Sequence, residues 1–442
     1  MRGGTRHQRT LGLAREVLDG GPMPIFAVSP TARLRALPAF FFGRVRRCSS
    51  AFLCAVLLGA FVVVAAASGC ASKGLLGSPP SVHPSEVGRA GDGTLDDQLE
   101  LIRGNHRLPA LAAVTFGPDD VIESGTSGVR ALGHPDAIGA GDRWHIGSLT
   151  KSMTSTLAAL LVETGSLGWS TALSEVFADT AMRPEYRPVT LLDLLTNSAG
   201  FTPDATRAPS WARLASSDAA LADQRRALTS EYLAMAPSAP RGTFAYSNAG
   251  YIVAGAVLER VTGEPWEALM ARLLFAPLAM SSAGFGPPVG ATPLAEPWGH
   301  SILDDAFEPT PPGPDADNPP AIGPAGTVHA SVADLVSYYQ AHLRGAMGVP
   351  SLLSPDAFQV LHQPAPGSAY ACGWGVTERA WAGGTAYQHS GSNNLWYADV
   401  WLAPSKGFGV LVVTNAGGPR AEAATDDAAS MLITRFNGEP PG

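Results

Sequence analysis

This chain carries strand-forming sequence at both ends of its folded part and helix-forming sequence between them. That distribution limits its architecture more than any other feature. Near the carboxyl end, Tyr397 to Leu402 and Phe408 to Thr414 are β-rich runs joined around Pro404-Ser405-Lys406-Gly407, the pattern of a hairpin. Leu111 to Phe116 supplies a strand near the start, after a short helix marked by Leu95, Leu99 and Ile102. Between them, Leu149, Met153, Leu157, Leu160 and Leu161 recur at helical spacing and predict a helix from about Ser148 to Thr164, with Gly165 as its stop. Further helices are expected at Leu191 to Thr196, Leu221 to Met235, Tyr251 to Val261, Trp266 to Leu274 and Val332 to Leu343, and Arg420 to Phe436 closes the chain. From Pro287 to Pro324 prolines recur too often for regular elements, so a long structured loop or lid is expected there. The whole predicts an α/β fold: a sheet completed by both ends of the chain, with a helical subdomain inserted at about residues 150–330.

Composition excludes several functional classes. Apolar residues make up 45% of the 442, enough for a sizeable core, and Gly 49 with Pro 37 leaves the chain loop-rich without reaching a disordered composition. Residues 1–69 hold nine arginines and no lysine against Glu16 and Asp19, so the remainder keeps 21 basic and 36 acidic residues. Such acidity argues against electrostatic capture of nucleic acid.

Arg44, Arg46 and Arg47 precede an uncharged apolar run, Ala51 to Ala67, followed by Ser68, Gly69 and Cys70, which is the three-part layout of an export leader. The run is also just long enough to compete as an uncleaved anchor. Ala67-Ser68-Gly69-Cys70 resembles the lipobox of bacterial lipoproteins, with Ala67 where Leu is usual. The resemblance implies a lipidated Cys70 as the mature terminus, and an exported protein anchored to a bacterial membrane, facing the periplasm or the exterior. On this reading residues 1–43 are an excess prefix, 44–70 the signal, 71–94 a tether and 95–440 the functional domain. Cys48 and Cys54 leave with the leader, and Cys372 then has no intrachain partner, so no disulfide is expected.

Lysine is scarce: Lys73, Lys151 and Lys406 stand against 27 arginines. Lys151 follows Ser148 by three residues, which on a helix stacks the two side chains on one face and puts Ser148 at the positive end of the backbone dipole. A buried amine can lose its proton and serve as base for a hydroxyl, which a guanidinium cannot do. The bland alternative is an N-cap serine with a solvated lysine. Tyr246-Ser247-Asn248 lies directly before a predicted helix. Asn248 could cap it and Tyr246 could simply pack, or a phenol beside an ammonium could have a lowered pKa and shuttle protons. His389-Ser390-Gly391 precedes the closing strands, where a small residue and a glycine let a substrate backbone lie along a strand edge and the amide of Ser392 donate to an oxyanion. His300 and His329 are isolated, and neither a metal site nor a cofactor is expected.

In this order and setting, Ser148-x-x-Lys151, Tyr246-Ser247-Asn248 and His389-Ser390-Gly391 resemble the serine β-lactamase and D,D-peptidase superfamily, especially its class C, esterase and D-aminopeptidase branch. The likeness extends through Gly242 to Leu278, which contains Phe244-Ala245-Tyr246-Ser247-Asn248-Ala249-Gly250-Tyr251. It also takes in Leu194-Leu195-Thr196-Asn197-Ser198-Ala199-Gly200, with Asn197 where the family usually has His. The resemblance implies an antiparallel sheet flanked by amino- and carboxyl-terminal helices (an α+β arrangement) with an inserted helical subdomain. It implies Ser148 as acylated nucleophile, Lys151 as its base, and Tyr246 in proton transfer to the leaving group and in activating the deacylating water. Asn248 would bind a substrate amide and Lys151, His389, Ser390 and Gly391 would bind substrate, and the backbone amides of Ser148 and Ser392 would form the oxyanion hole.

By the resemblance, His389 stands where β-lactamases have a permanently charged Lys. With an ordinary pKa it is mostly neutral at pH 7 and gains charge toward pH 6, so neutral esters or amides are expected over penicillins. Leu395 and Trp396 are expected to narrow the acyl pocket. Two readings follow: an exported serine hydrolase acting on small-molecule or peptide substrates, cell-wall fragments among them, or a non-hydrolysing penicillin-binding or scaffolding relative.

Overall fold

The structure, a computed structural model, describes residues 94–437. The prefix, leader, Cys70 and all of the tether but Thr94 lie outside those residues. Helix α1 (Thr94–His106) opens the domain, followed by β1 (Ala110–Phe116), β2 (Val121–Gly128), β3 (Arg143–His145) and α2 (Thr150–Glu163), which is entered through one 3-10 turn at Gly147–Leu149. The helical part includes α3 (Leu191–Leu195), α4 (Leu221–Ala234) and α5 (Asn248–Thr262), then a short helix at Trp266–Leu269 that widens into a π-turn at Met270–Phe275. Next come β4 (Gly284–Phe285), β5 (Gly299–Leu303), β6 (Ala306–Thr310), β7 (Val328–Ser331), α6 (Val332–Ala346) and α7 (Pro355–His362). The chain ends with β8 (Gly375–Arg379), β9 (Gly384–Ser392), β10 (Tyr397–Ala403), β11 (Phe408–Thr414) and α8 (Pro419–Asn437).

The main sheet has the order β2-β1-β11-β10-β9-β8, so its middle joins the first strand to the last, with Val114 opposite Leu411. Every pairing in it is antiparallel. Strands β1 and β11 are buried along their whole length because both faces of the sheet are covered. Side chains alternate between faces: Leu111, Ala113, Val410 and Val412 pack with Leu95, Leu99, Ala424 and Leu432 of α1 and α8. Ala112, Val114, Leu411 and Val413 join the larger core with Met153 and Leu157 of α2. Each fully buried Leu or Val stabilises the fold by roughly 1.5–3 kcal/mol, and this two-sided burial explains why apolar runs, and not alternation, marked these strands.

The Pro287–Pro324 segment departs from expectation. No proline falls between Pro297 and Pro309, and that stretch forms most of the β5–β6 hairpin, which continues through Pro309 opposite His300 and is turned by Asp304 and Asp305, both at positive φ. Two consecutive residues in the left-handed region match the twist of a tight hairpin, and Asp tolerates that conformation.

Candidate active site

Helix α2 carries Lys151 fully buried, one turn from the half-buried Ser148. Its Nζ lies 3.0 Å from Ser148 Oγ, 2.7 Å from Asn248 Oδ1 and 2.7 Å from the carbonyl oxygen of Ala325. Burial alone holds the amine well below the usual lysine range. A neutral amine has two N–H groups and one lone pair. The two carbonyl oxygens can only accept, so they take both N–H groups and leave the lone pair for the Ser148 hydroxyl.

Tyr246 also hydrogen-bonds Ser148, and Lys151 Nζ sits 4.8 Å from the centre of its ring. The lowered phenol pKa considered from sequence does not occur. Burial of the hydroxyl pushes it upward, outweighing the bond between it and Ser148, so burial favours the uncharged form of both the phenol and the amine beside it. The side chain as a whole is 36% exposed, which keeps part of the ring accessible from solvent. The cap of α5 is Ser247, not Asn248: its hydroxyl accepts from the amide of Gly250 and donates to the carbonyl of Thr202. Asn248 is thereby free to turn its amide oxygen onto Lys151.

Asn197 holds this loop, a role the sequence did not disclose. Helix α3 is fixed by a capping box between Thr190 and Asp193, and two residues past its end Asn197 adopts φ 54°. From there its side-chain oxygen accepts from the amide of Ser247 at 3.1 Å and its carbonyl accepts from that of Ala245 at 2.8 Å. Tyr246 is therefore clamped on both sides. The available signal was the residue type, since Asn is among the few that enter the left-handed region readily.

Strand β9 closes the other side. A Cβ on Gly147 would collide with the amide nitrogen of Ser392, and one on Gly391 would stand 2.6 Å from that of Ser148. Two glycines thus let the turn before α2 and the end of β9 meet backbone to backbone, bringing the amides of Ser148 and Ser392 together. Strand β8 stops pairing at Gly375–Gln388, so the stretch from His389 to Ser392 presents an edge free of β8.

His389 and Gly391 face the site, whereas the side chain of Ser390 points to the opposite face and bonds Tyr397. A period of two puts alternate residues on opposite faces, and only the backbone of Ser390 is left for a substrate. His389 is 7% exposed, and its Nε2 is 3.2 Å from the hydroxyl of Tyr370. Burial above all pushes its pKa down to about 3. The ordinary histidine pKa expected from sequence is thereby corrected.

His300 and His329 are buried and bond the carbonyls of Asn415 and Gly286. Among the described residues no group of three or more His, Cys, Asp and Glu side chains could hold a metal ion. Leu395 and Trp396 are core residues, with Trp396 edge-on to Trp144 and against Gly299; packing has claimed both side chains that were expected to narrow an acyl pocket.

The family model described as Beta-lactamase matches residues 93–434. The chain belongs to the beta-lactamase family. A beta-lactamase-family relative, penicillin-binding protein 4 of Amycolatopsis lactamdurans, is 26% identical over 335 residues, 73% of this chain and 84% of that one. Among solved structures, the octameric penicillin-binding protein homologue from Pyrococcus abyssi superposes with a TM-score of 0.62 at 23% identity, covering 77% of each chain. The D-amino acid amidase from Ochrobactrum anthropi SV3, complexed with L-phenylalanine amide, gives 0.61 at 20% identity, covering 77% of this chain and 98% of that one. These likenesses establish the beta-lactamase/transpeptidase fold.

Proposed function

We propose that this protein is a serine hydrolase that forms an acyl-enzyme at Ser148 and acts on uncharged esters or amides, with little or no turnover of penicillins. The observation that carries the reading is the surroundings of Lys151 Nζ, which lies within hydrogen-bond distance of Asn248 Oδ1, the Ala325 carbonyl and Ser148 Oγ; in a neutral amine the first two take both N–H groups and turn the lone pair to the serine. As Ser148 Oγ bonds to the substrate carbonyl carbon, its proton passes to Lys151, and the oxyanion lies against the amides of Ser148 and Ser392. Tyr246, protonated at rest, gives its proton to the leaving atom as the scissile bond breaks, and the lysine ammonium then returns a proton to the phenolate. Water attacks the acyl carbon and gives a proton to Lys151, which passes a proton on to Ser148 Oγ as the acyl bond breaks, so the serine hydroxyl and the neutral amine are both restored. A neutral His389 gives a substrate carboxylate no charged partner, which favours neutral substrates.

Labelling with a fluorophosphonate followed by peptide mapping tests the nucleophile. The adduct is expected on Ser148, and Ser148→Ala should abolish turnover of p-nitrophenyl esters. Lys151→Arg, which keeps charge but cannot be deprotonated, should lower the acylation rate by about 10²–10⁴-fold in a folded protein. An adduct on another serine, or undiminished activity in Ser148→Ala, would overturn the assignment.

We also propose that the chain is exported and anchored through Cys70, on the strength of the leader pattern around it. The mature protein should partition into detergent and begin at a lipidated Cys70, and Cys70→Ser should release it to the aqueous phase. A native terminus elsewhere would refute this.

A further inference from the structure

We propose that His145, Asp317 and Asn393 form a positioning network that holds the two oxyanion-hole segments in register. The proposal rests on the reading of Ser148 as nucleophile. Its starting point is a buried histidine three residues before Ser148 that takes no part in the chemistry described above. The amide of Gly147 meets His145 Nδ1 at 3.2 Å. A backbone amide can only donate, so Nδ1 must be the acceptor and the ring proton resides on Nε2. Nε2 in turn lies 2.8 Å from Asp317 Oδ2.

The other oxygen of Asp317 serves the opposite segment. Oδ1 accepts from Asn393 Nδ2 at 3.1 Å and from the amide of Asn318 at 2.8 Å. Asn393 Nδ2 also reaches the carbonyl of Ala316 at 3.2 Å, and its Oδ1 accepts from the amide of Leu395 at 3.1 Å. One carboxylate therefore bonds, through a single side chain each way, the residue before Ser148 and the residue after Ser392. The side chains of His145 and Asp317 are almost wholly excluded from solvent, and Asn393 is buried, so these bonds have little competition from water. Asp317 comes from the proline-rich segment, which gives that segment a task at the site.

The two amides are useful only at the separation a tetrahedral oxyanion requires. A donor displaced by about 1 Å can cost on the order of 10²-fold in rate. Gly147 and Gly391 allow the segments to touch, and nothing in a glycine contact sets their lateral register. The Asp317 bridge supplies that constraint.

The test measures p-nitrophenyl ester hydrolysis by the native protein, Asp317→Ala and Asp317→Asn. Each kcat is expressed per Ser148 titrated with fluorophosphonate, so that misfolded protein is not counted. Asp317→Ala should lower kcat by about 10–100-fold with KM within about threefold, and should weaken a boronic acid that forms a tetrahedral adduct with Ser148 by a similar factor. Asp317→Asn, which keeps the shape but cannot accept on both sides, should show the same pattern at about 3–10-fold and serves where the alanine variant does not fold. A purely structural role would reduce the titrated fraction and leave kcat per titrated serine and boronate affinity within about twofold, and that result would overturn the proposal. Failure of the nucleophile reading shows separately, as turnover that survives Ser148→Ala.

Discussion

His389 titrates where its surroundings permit and not where an isolated imidazole would. An ordinary histidine would pass from about 9% to about 91% protonated between pH 7.5 and pH 5.5. With its pKa pushed down to about 3, His389 stays neutral across that span. The ratio of kcat/KM for a neutral ester to that for a matched ester bearing a carboxylate should therefore change by less than about twofold from pH 7.5 to pH 5.5. A roughly tenfold shift toward the carboxylate substrate would show that the imidazole charges after all. The same residue marks the limit of sequence reading at this scale, because its neighbours Tyr370 and Tyr246 and the burial that discharges it come from distant parts of the chain.

Elements were legible where their cause is local. The helical spacing from Leu149 to Leu161 became α2, and the Pro404–Gly407 turn joins β10 and β11, because period and turn chemistry act within a few residues. The resemblance drawn from three short motifs named residues that meet in one site, with Ser390 contributing backbone only. Elements with non-local causes escaped. The three-residue β3 exists because Arg143 to His145 pairs with His329 to Ser331 of β7, nearly two hundred residues on, and no alternation that short can be read. Proline density hid the β5–β6 hairpin, whose turn and most of whose strands lie in the gap between Pro297 and Pro309, with Pro309 itself in β6.

At the scale of the whole fold, five of the buried histidines among the described residues oppose protonation and shape the response to acid. Burial pushes His300 and His329 down to about 4, His362 and His389 to about 3, and His342 well below the usual range. In the unfolded chain each returns to about 6.5, so below that pH the unfolded state binds protons the folded state refuses, and stability falls as pH falls from 6.5 toward 3 to 4. Asp399, raised by burial to about 7, acts in the opposite sense: the folded state keeps a proton that the unfolded state releases down to about pH 4. The histidines outnumber it, and each net proton is worth about 1.4 kcal/mol per pH unit. The thermal midpoint should fall steadily from pH 6.5 to pH 4.5; a flat profile there would contradict the burial assigned to these side chains. Which residues share a helix face, where the locally specified strands and turns fall and which side chains could react are legible in the amino-acid order, since those follow from contacts within a few positions. Which of those groups are charged and how they aim follows instead from packing across the fold. Lys151 meets Asn248 and Ala325, and Asp317 ties His145 to Asn393, through contacts between distant segments, and the desolvation that sets a pKa exists only once those segments have packed.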